Sequence, residues 1–185
     1  MSNPFVSLPD AQHFVLSNAT VPAIAVTVAT GPAVEGLASV DIVIANGRID
    51  AVLPAGTASV ELPKADLRQG MVWPCFADMH THLDKGHIWP RRPNPDGTFM
   101  GALDNVGIDR EANWTADDVR TRMDFSLRAA YAHGTHLIRT HLDSLAPQHR
   151  ISFEVFSEVR DAWAGKVDLQ AAALFPFDQI NEEAF

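Results

Sequence analysis

Over the first seventy residues, apolar and polar positions alternate in short runs. Val40-Asp41-Ile42-Val43-Ile44 and Arg48-Ile49-Asp50-Ala51-Val52 flank Asn46-Gly47. Alternation is the period of a half-buried strand, and Asn-Gly supplies two residues that tolerate positive φ, so the pair predicts a β-hairpin. Gly31, Gly36, Pro54, Gly56 and Pro63 punctuate the neighbouring runs. Residues 12–70 thus read as a small antiparallel β unit.

Beyond Gly70 the period changes. Met71 to His82 is a largely apolar run, and its second half, from Phe76, reads as a buried strand. Residues 84–114 carry Pro90, Pro93, Pro95, Gly97, Gly101 and Gly107 and read as one long loop, a length that usually signals function. At Thr115 helical spacing begins: Val119, Met123, Leu127 and Ala130 recur every three or four residues. Thr115 is the expected N-cap, with Asp118 in a capping-box position, and Gly134 sits where a left-handed residue would end the helix. Thr135–Leu142 reads as a second strand. A second helix carries Phe153, Phe156, Val159 and Trp163 on one side and stops at Gly165, and Val167–Phe175 reads as a third strand. Strand–helix alternation of this kind predicts an α/β fold with a parallel sheet, either Rossmann-like or a β/α barrel.

Composition narrows the setting. The 185 residues are 46% hydrophobic and 20% charged, which suits a packed core, and the net charge is −9. An acidic chain lacks the basic surface that nucleic acids and anionic membranes require. Cys75 is the lone cysteine, so neither a disulfide framework nor a cysteine zinc knuckle is available. No apolar run reaches the length of a membrane-spanning helix, and Met1-Ser2-Asn3-Pro4-Phe5 does not open a secretory signal. A cytoplasmic protein is expected, with Cys75 as an inert buried thiol.

The sharpest chemical feature is Asp78-Met79-His80-Thr81-His82-Leu83-Asp84. Strand residues i and i+2 share a face, so His80 and His82 project together from a strand end, where parallel α/β folds bind ligands. Two imidazoles on one side can share a metal ion. With eight histidines, chance alone supplies about 0.3 such pairs, so two structural histidines stay an equal alternative on the residues themselves. Arg139, His141 and Asp143 share a face of the next strand, open to a substrate-side role or a structural one. His87, His133 and His149 fall in loop or helix-end positions. Phosphate-cradling and serine-elbow motifs are absent from the sequence.

Gly70 to Asp84, running Gly-Met-Val-Trp-Pro-Cys-Phe-Ala-Asp-Met-His-Thr-His-Leu-Asp, resembles the first barrel strand of the amidohydrolase superfamily. Asp41-Ile42-Val43-Ile44-Ala45-Asn46-Gly47-Arg48-Ile49 is similar to that superfamily's accessory β domain. Asp96-Gly97-Thr98-Phe99, Thr115-Ala116-Asp117-Asp118-Val119 and Ile138-Arg139-Thr140-His141-Leu142-Asp143 resemble its cytosine deaminase branch. The resemblance runs from about residue 12 to 180.

The resemblance implies a β-sandwich-like accessory domain over residues 1–70. Residues 71–185 would then be the first three β/α units of an incomplete TIM-like barrel. It implies a divalent metal, zinc or iron, on His80 and His82, with Asp78 and His141 behind them. Phe99, Phe177 and Gln179 would line the substrate pocket. The implied reaction is hydrolytic deamination of an amino-pyrimidine or related small heterocycle by metal-activated water, with a homo-oligomer of the full-length enzyme as a further expectation. Phe177 stands where cytosine deaminases carry a glutamine after Phe-Pro, which shifts the expected substrate from cytosine toward a related heterocycle. A closed barrel needs eight strands and about 250 residues. The chain is therefore expected to be the N-terminal part of a longer enzyme, inactive as residues 1–185 alone, with its acid and base groups beyond Phe185. Alternatives are another amidohydrolase acting on a cyclic or acyclic C–N bond, and a non-catalytic truncated module.

Overall fold

The computed structural model describes residues 5–28 and 34–177. The chain divides into two units, Met1–Pro74 and Cys75–Phe185.

In the first unit, β1 (His13–Pro22), β2 (Leu37–Ala45), β3 (Arg48–Pro54) and β4 (Lys64–Asp66) form one sheet in the order β3-β2-β1-β4. The expected hairpin is β2–β3. Asn46 and Gly47 hold φ of 51° and 74°, the left-handed turn their side chains permit. The expectation of a purely antiparallel, sandwich-like unit gives way to a single mixed sheet among the described residues, because β4 joins β1 in parallel. Ala19, Val21, Ala38, Val40 and Ile42 form its core. Asp41 is buried there at 1% exposure, but its carboxylate accepts the backbone N–H groups of Asn18, Gly56 and Ala58 at 3.1, 2.9 and 3.3 Å. Three donors offset the cost of burying its charge.

In the second unit, β5 (Phe76–Thr81), β6 (Thr135–Asp143) and β7 (Asp168–Leu174) form a parallel sheet in the order β5-β6-β7. The connections run through α2 (Ala116–Ala132) and α3 (Gln148–Ala162). Thr115 caps α2 by accepting the Asp118 N–H at 3.2 Å. The Asp118 carboxylate does not reach back to complete a capping box; it binds Arg91 and Arg122 instead. Gly134 follows the helix at φ 82°. Val119, Met123 and Leu127 are fully buried against Ile138 and Leu142 of β6 and Val155 of α3, so the core lies on the helix side of the sheet.

Three expectations are corrected. Residues 99–113 are not loop but a fifteen-residue helix, α1 (Phe99–Asn113), capped by the Thr98 hydroxyl on the Gly101 N–H. β5 is not buried: residues 76–80 are all exposed, because α2 and α3 pack chiefly on β6 and β7 and leave the faces of β5 largely uncovered among the described residues. Cys75 is exposed rather than buried. No helix among the described residues is long and apolar enough to cross a membrane.

Candidate metal centre

β5 stops at Thr81, and from there side chains take over from the backbone ladder. The Leu83 N–H donates to the Thr140 hydroxyl at 2.9 Å, and the Asp143 N–H donates to Asp84 Oδ2 at 2.7 Å. Lys85 Nζ donates to Asp143 Oδ1 at 2.8 Å. These contacts lace residues 83–85 to the last turns of β6. Arg122 of α2 secures the same segment by donating to the Asp84 and Gly86 carbonyls.

The lacing fixes the histidines. His82 Nδ1 lies 3.0 Å from the His141 carbonyl oxygen. A carbonyl can only accept, so Nδ1 carries a proton, and in the neutral ring Nε2 is then the nitrogen with the lone pair. The His80 and His82 rings are 5.4 Å apart between centroids, and the His141 ring lies 4.4 Å from His80 and 5.8 Å from His82. Partial burial, then the nearby Lys85 charge, push the His82 pKa below its ordinary value. The neutral ring, which is the form that binds metal, is favoured near neutral pH.

Behind the pair, Asp84 is fully buried. Burial drives its pKa up to about 6 against the hydrogen bond from the Asp143 amide. Its Oδ1 has no hydrogen-bond partner, nor has His141 Nδ1. A neutral imidazole with a free Nε2, a second ring beside it and two orphaned buried polar atoms suit a divalent cation. Among the described residues, however, no three ligating side chains converge on one point. His80 and His82 would be the side chains to hold a metal, and they do not make a complete set among the described residues.

Of the other expected residues, His141 joins the histidine pair and the rest scatter. Asp78 accepts the backbone N–H of His80 at 3.1 Å and leaves the imidazole alone. His141 meets His82 through its carbonyl. Phe99 opens α1 and lines a cleft of about 410 Å³ with Leu103, Arg110, Lys85, Asp143 and Leu174. Phe177 is 85% exposed and outside that cleft, and Gln179 lies outside the described residues. Lys85, Asp84 and Arg110 were not singled out by sequence. Their charge type is commonplace, and only the three-dimensional lacing gives them a place.

Comparison with known proteins follows from this geometry. No family model matches the chain. Pterin deaminase of Rhizobium rhizogenes is 72% identical over all 185 residues, which span 42% of that protein. Among solved structures, 5-methylcytosine deaminase from Klebsiella pneumoniae matches with a TM-score of 0.68 at 21% identity, over 86% of this chain and 36% of its own. N-isopropylammelide isopropylaminohydrolase from Burkholderia multivorans matches with a TM-score of 0.62 at 24% identity, over 90% of this chain and 38% of its own. The α/β fold read from the sequence is thus the fold of somewhat more than a third of each of these solved chains. The chain shares its fold with part of these solved structures and most of its residues with a stretch of the pterin deaminase, and it spans less than half the length of each.

Proposed function

We propose that this chain supplies the opening portion of the active site of a metal-dependent deaminase, which replaces a ring amino group by oxygen and releases ammonia. The observation that carries the reading is the His82–His141 contact, which presents Nε2 of a neutral imidazole beside His80 at the open end of a parallel sheet. The name of the 72% identical relative points to a pterin as the substrate class.

His80 and His82 would hold the ion. A divalent ion held there, zinc or iron, would supply Lewis acidity that lowers the pKa of a bound water. The chain's own part is to hold both rings in place through the lacing of residues 83–85 to β6 and to keep His82 neutral. Water adds to the ring carbon bearing the amino group, the C–N bond breaks, and the nitrogen leaves as ammonia. The first unit, Met1–Pro74, serves as an accessory β domain in this reading.

Elemental analysis and an ammonia assay on the protein at its natural length test the proposal. Stoichiometric zinc or iron and ammonia release from pterin are expected, both lost in the His80→Ala, His82→Ala double variant. Turnover that survives the double change would sink the reading.

A further inference from the structure

Between α2 and α3 runs a groove of about 570 Å³ that shares no residue with the histidine corner. Phe125 of α2, Val159 and Ala162 of α3, and Trp163 just beyond α3 give it an apolar lining. Polar contacts fasten its two walls together. Arg120 of α2 pairs with Glu158 of α3, and the Trp163 indole donates to Asp124 Oδ1 at 3.1 Å. The groove is thus preformed, yet Phe125 on its lip is 59% exposed. An aromatic ring left in water beside a fixed apolar groove marks a contact surface more often than idle surface.

We propose that the groove receives α2 of a second copy of this chain, running antiparallel across a two-fold axis. The charge order along α2 carries the choice of occupant. Asp117, Thr121, Asp124 and Arg128 follow one another at helical spacing on one exposed ridge. Under a two-fold axis every contact occurs twice, with the residues exchanged. Set antiparallel about the middle of this ridge, Asp117 of each copy faces Arg128 of the other, and Thr121 faces Asp124. A parallel pairing would set acid on acid and base on base, so the charges select the antiparallel one. Asp117 and Arg128 are 95% and 74% exposed, and their present pairings within the molecule are solvent-screened and readily exchanged. The groove itself carries Arg120 and Arg128 against Asp124 and Glu158, a neutral patch in a chain of net charge −9. Two acidic copies can meet there without opposing like charges at the point of contact.

Sedimentation equilibrium on the protein at its natural length tests the proposal. The parent is expected to self-associate at micromolar concentration. Arg128→Asp places acid against Asp117 twice in each dimer and should raise the dissociation constant about 10-fold or more. Asp117→Arg should do the same. The double variant Asp117→Arg, Arg128→Asp exchanges the two charges and should recover most of the loss, which no general damage to α2 would allow. Phe125→Ser should weaken association without rescue by either charge change. A second measurement reads contact directly. In a Cys75→Ser background, Thr121→Cys should join copies through a short bis-maleimide, beyond what the background alone gives. A parent that stays monomeric, as it would if another part of its own chain or an unrelated protein filled the groove, overturns the proposal. So does an assembly that all three single variants leave unchanged and Thr121→Cys does not cross-link, or a double variant as weak as the singles.

Discussion

The His82 side chain is held by the backbone of His141: Nδ1 lies 3.0 Å from the carbonyl oxygen, across the boundary between β5 and β6. In the neutral ring this contact leaves Nε2 as the nitrogen free to bind a ligand. In the metal-free protein near pH 7, nitrogen-detected NMR should find His82 protonated at Nδ1 and unprotonated at Nε2. The opposite tautomer would break the argument for a preset ligand.

Arg91 is the hub of the segment that follows the histidines. It donates twice to Asp109 at 2.8 Å and also binds Asp118, tying residues 84–98 to both α1 and α2. Asp109 is 1% exposed and takes further hydrogen bonds from Asn113 and from the Trp114 indole. Arg91→Met removes one partner of a buried carboxylate. It should cost about 2–4 kcal/mol by urea unfolding, less than a fully buried pair because Arg91 is a third exposed. A change within about 0.5 kcal/mol would mean that Asn113 and Trp114 suffice.

The same cluster sets an acid limb to stability. Burial works against ionisation of Asp109 and Asp118, but hydrogen bonds from Arg91 outweigh it, and both carboxyls titrate below their ordinary value. A depressed folded pKa means that the unfolded chain takes up protons first as pH falls. The stabilisation is therefore present above about pH 4 and lost as pH drops through the folded values. Melting temperature against pH should fall steeply below about pH 4 in the parent and less steeply in Arg91→Met. Parallel curves would show that these carboxylates do not govern the acid limb.

Gly101 permits the start of α1. A Cβ there would meet Asp96 Oδ1 at 2.1 Å and Asn94 Oδ1 at 2.7 Å, and Asp96 is itself fixed by the Thr98 N–H and hydroxyl. Gly101→Ala, normally favourable within a helix, should here destabilise by about 1–3 kcal/mol. Thr98→Ala should cost about 1 kcal/mol through the lost cap. A more stable Gly101→Ala protein would show that the 94–98 turn yields freely.

Much of the frame was legible in the sequence because it depends on local rules. Asn46-Gly47 demands its turn, Thr115 caps α2, and alternation alone puts His80 and His82 on one side of β5. α1 was hidden because its identity is tertiary. Phe99, Met100, Leu103 and Ile108 are all exposed, so no buried apolar stripe marks the helix, and its one buried residue is the charged Asp109. The apolar run through Phe76 and Met79 misled in the opposite sense, since α2 and α3 pack chiefly on β6 and β7 and leave both exposed. The partner of His82 could not be read at all. It is a backbone carbonyl fifty-nine residues away, and a carbonyl leaves no trace in residue type.

The lacing of residues 83–85 to β6 has an experimental use of its own. The Leu83 and Asp143 amides are sealed by a hydroxyl and a carboxylate from the opposite segment, not by neighbouring strand backbone. Their deuterium uptake therefore times the separation of those two segments directly. Two resonances in a spectrum become a clock for how often the histidine corner comes apart, readable without any ligand.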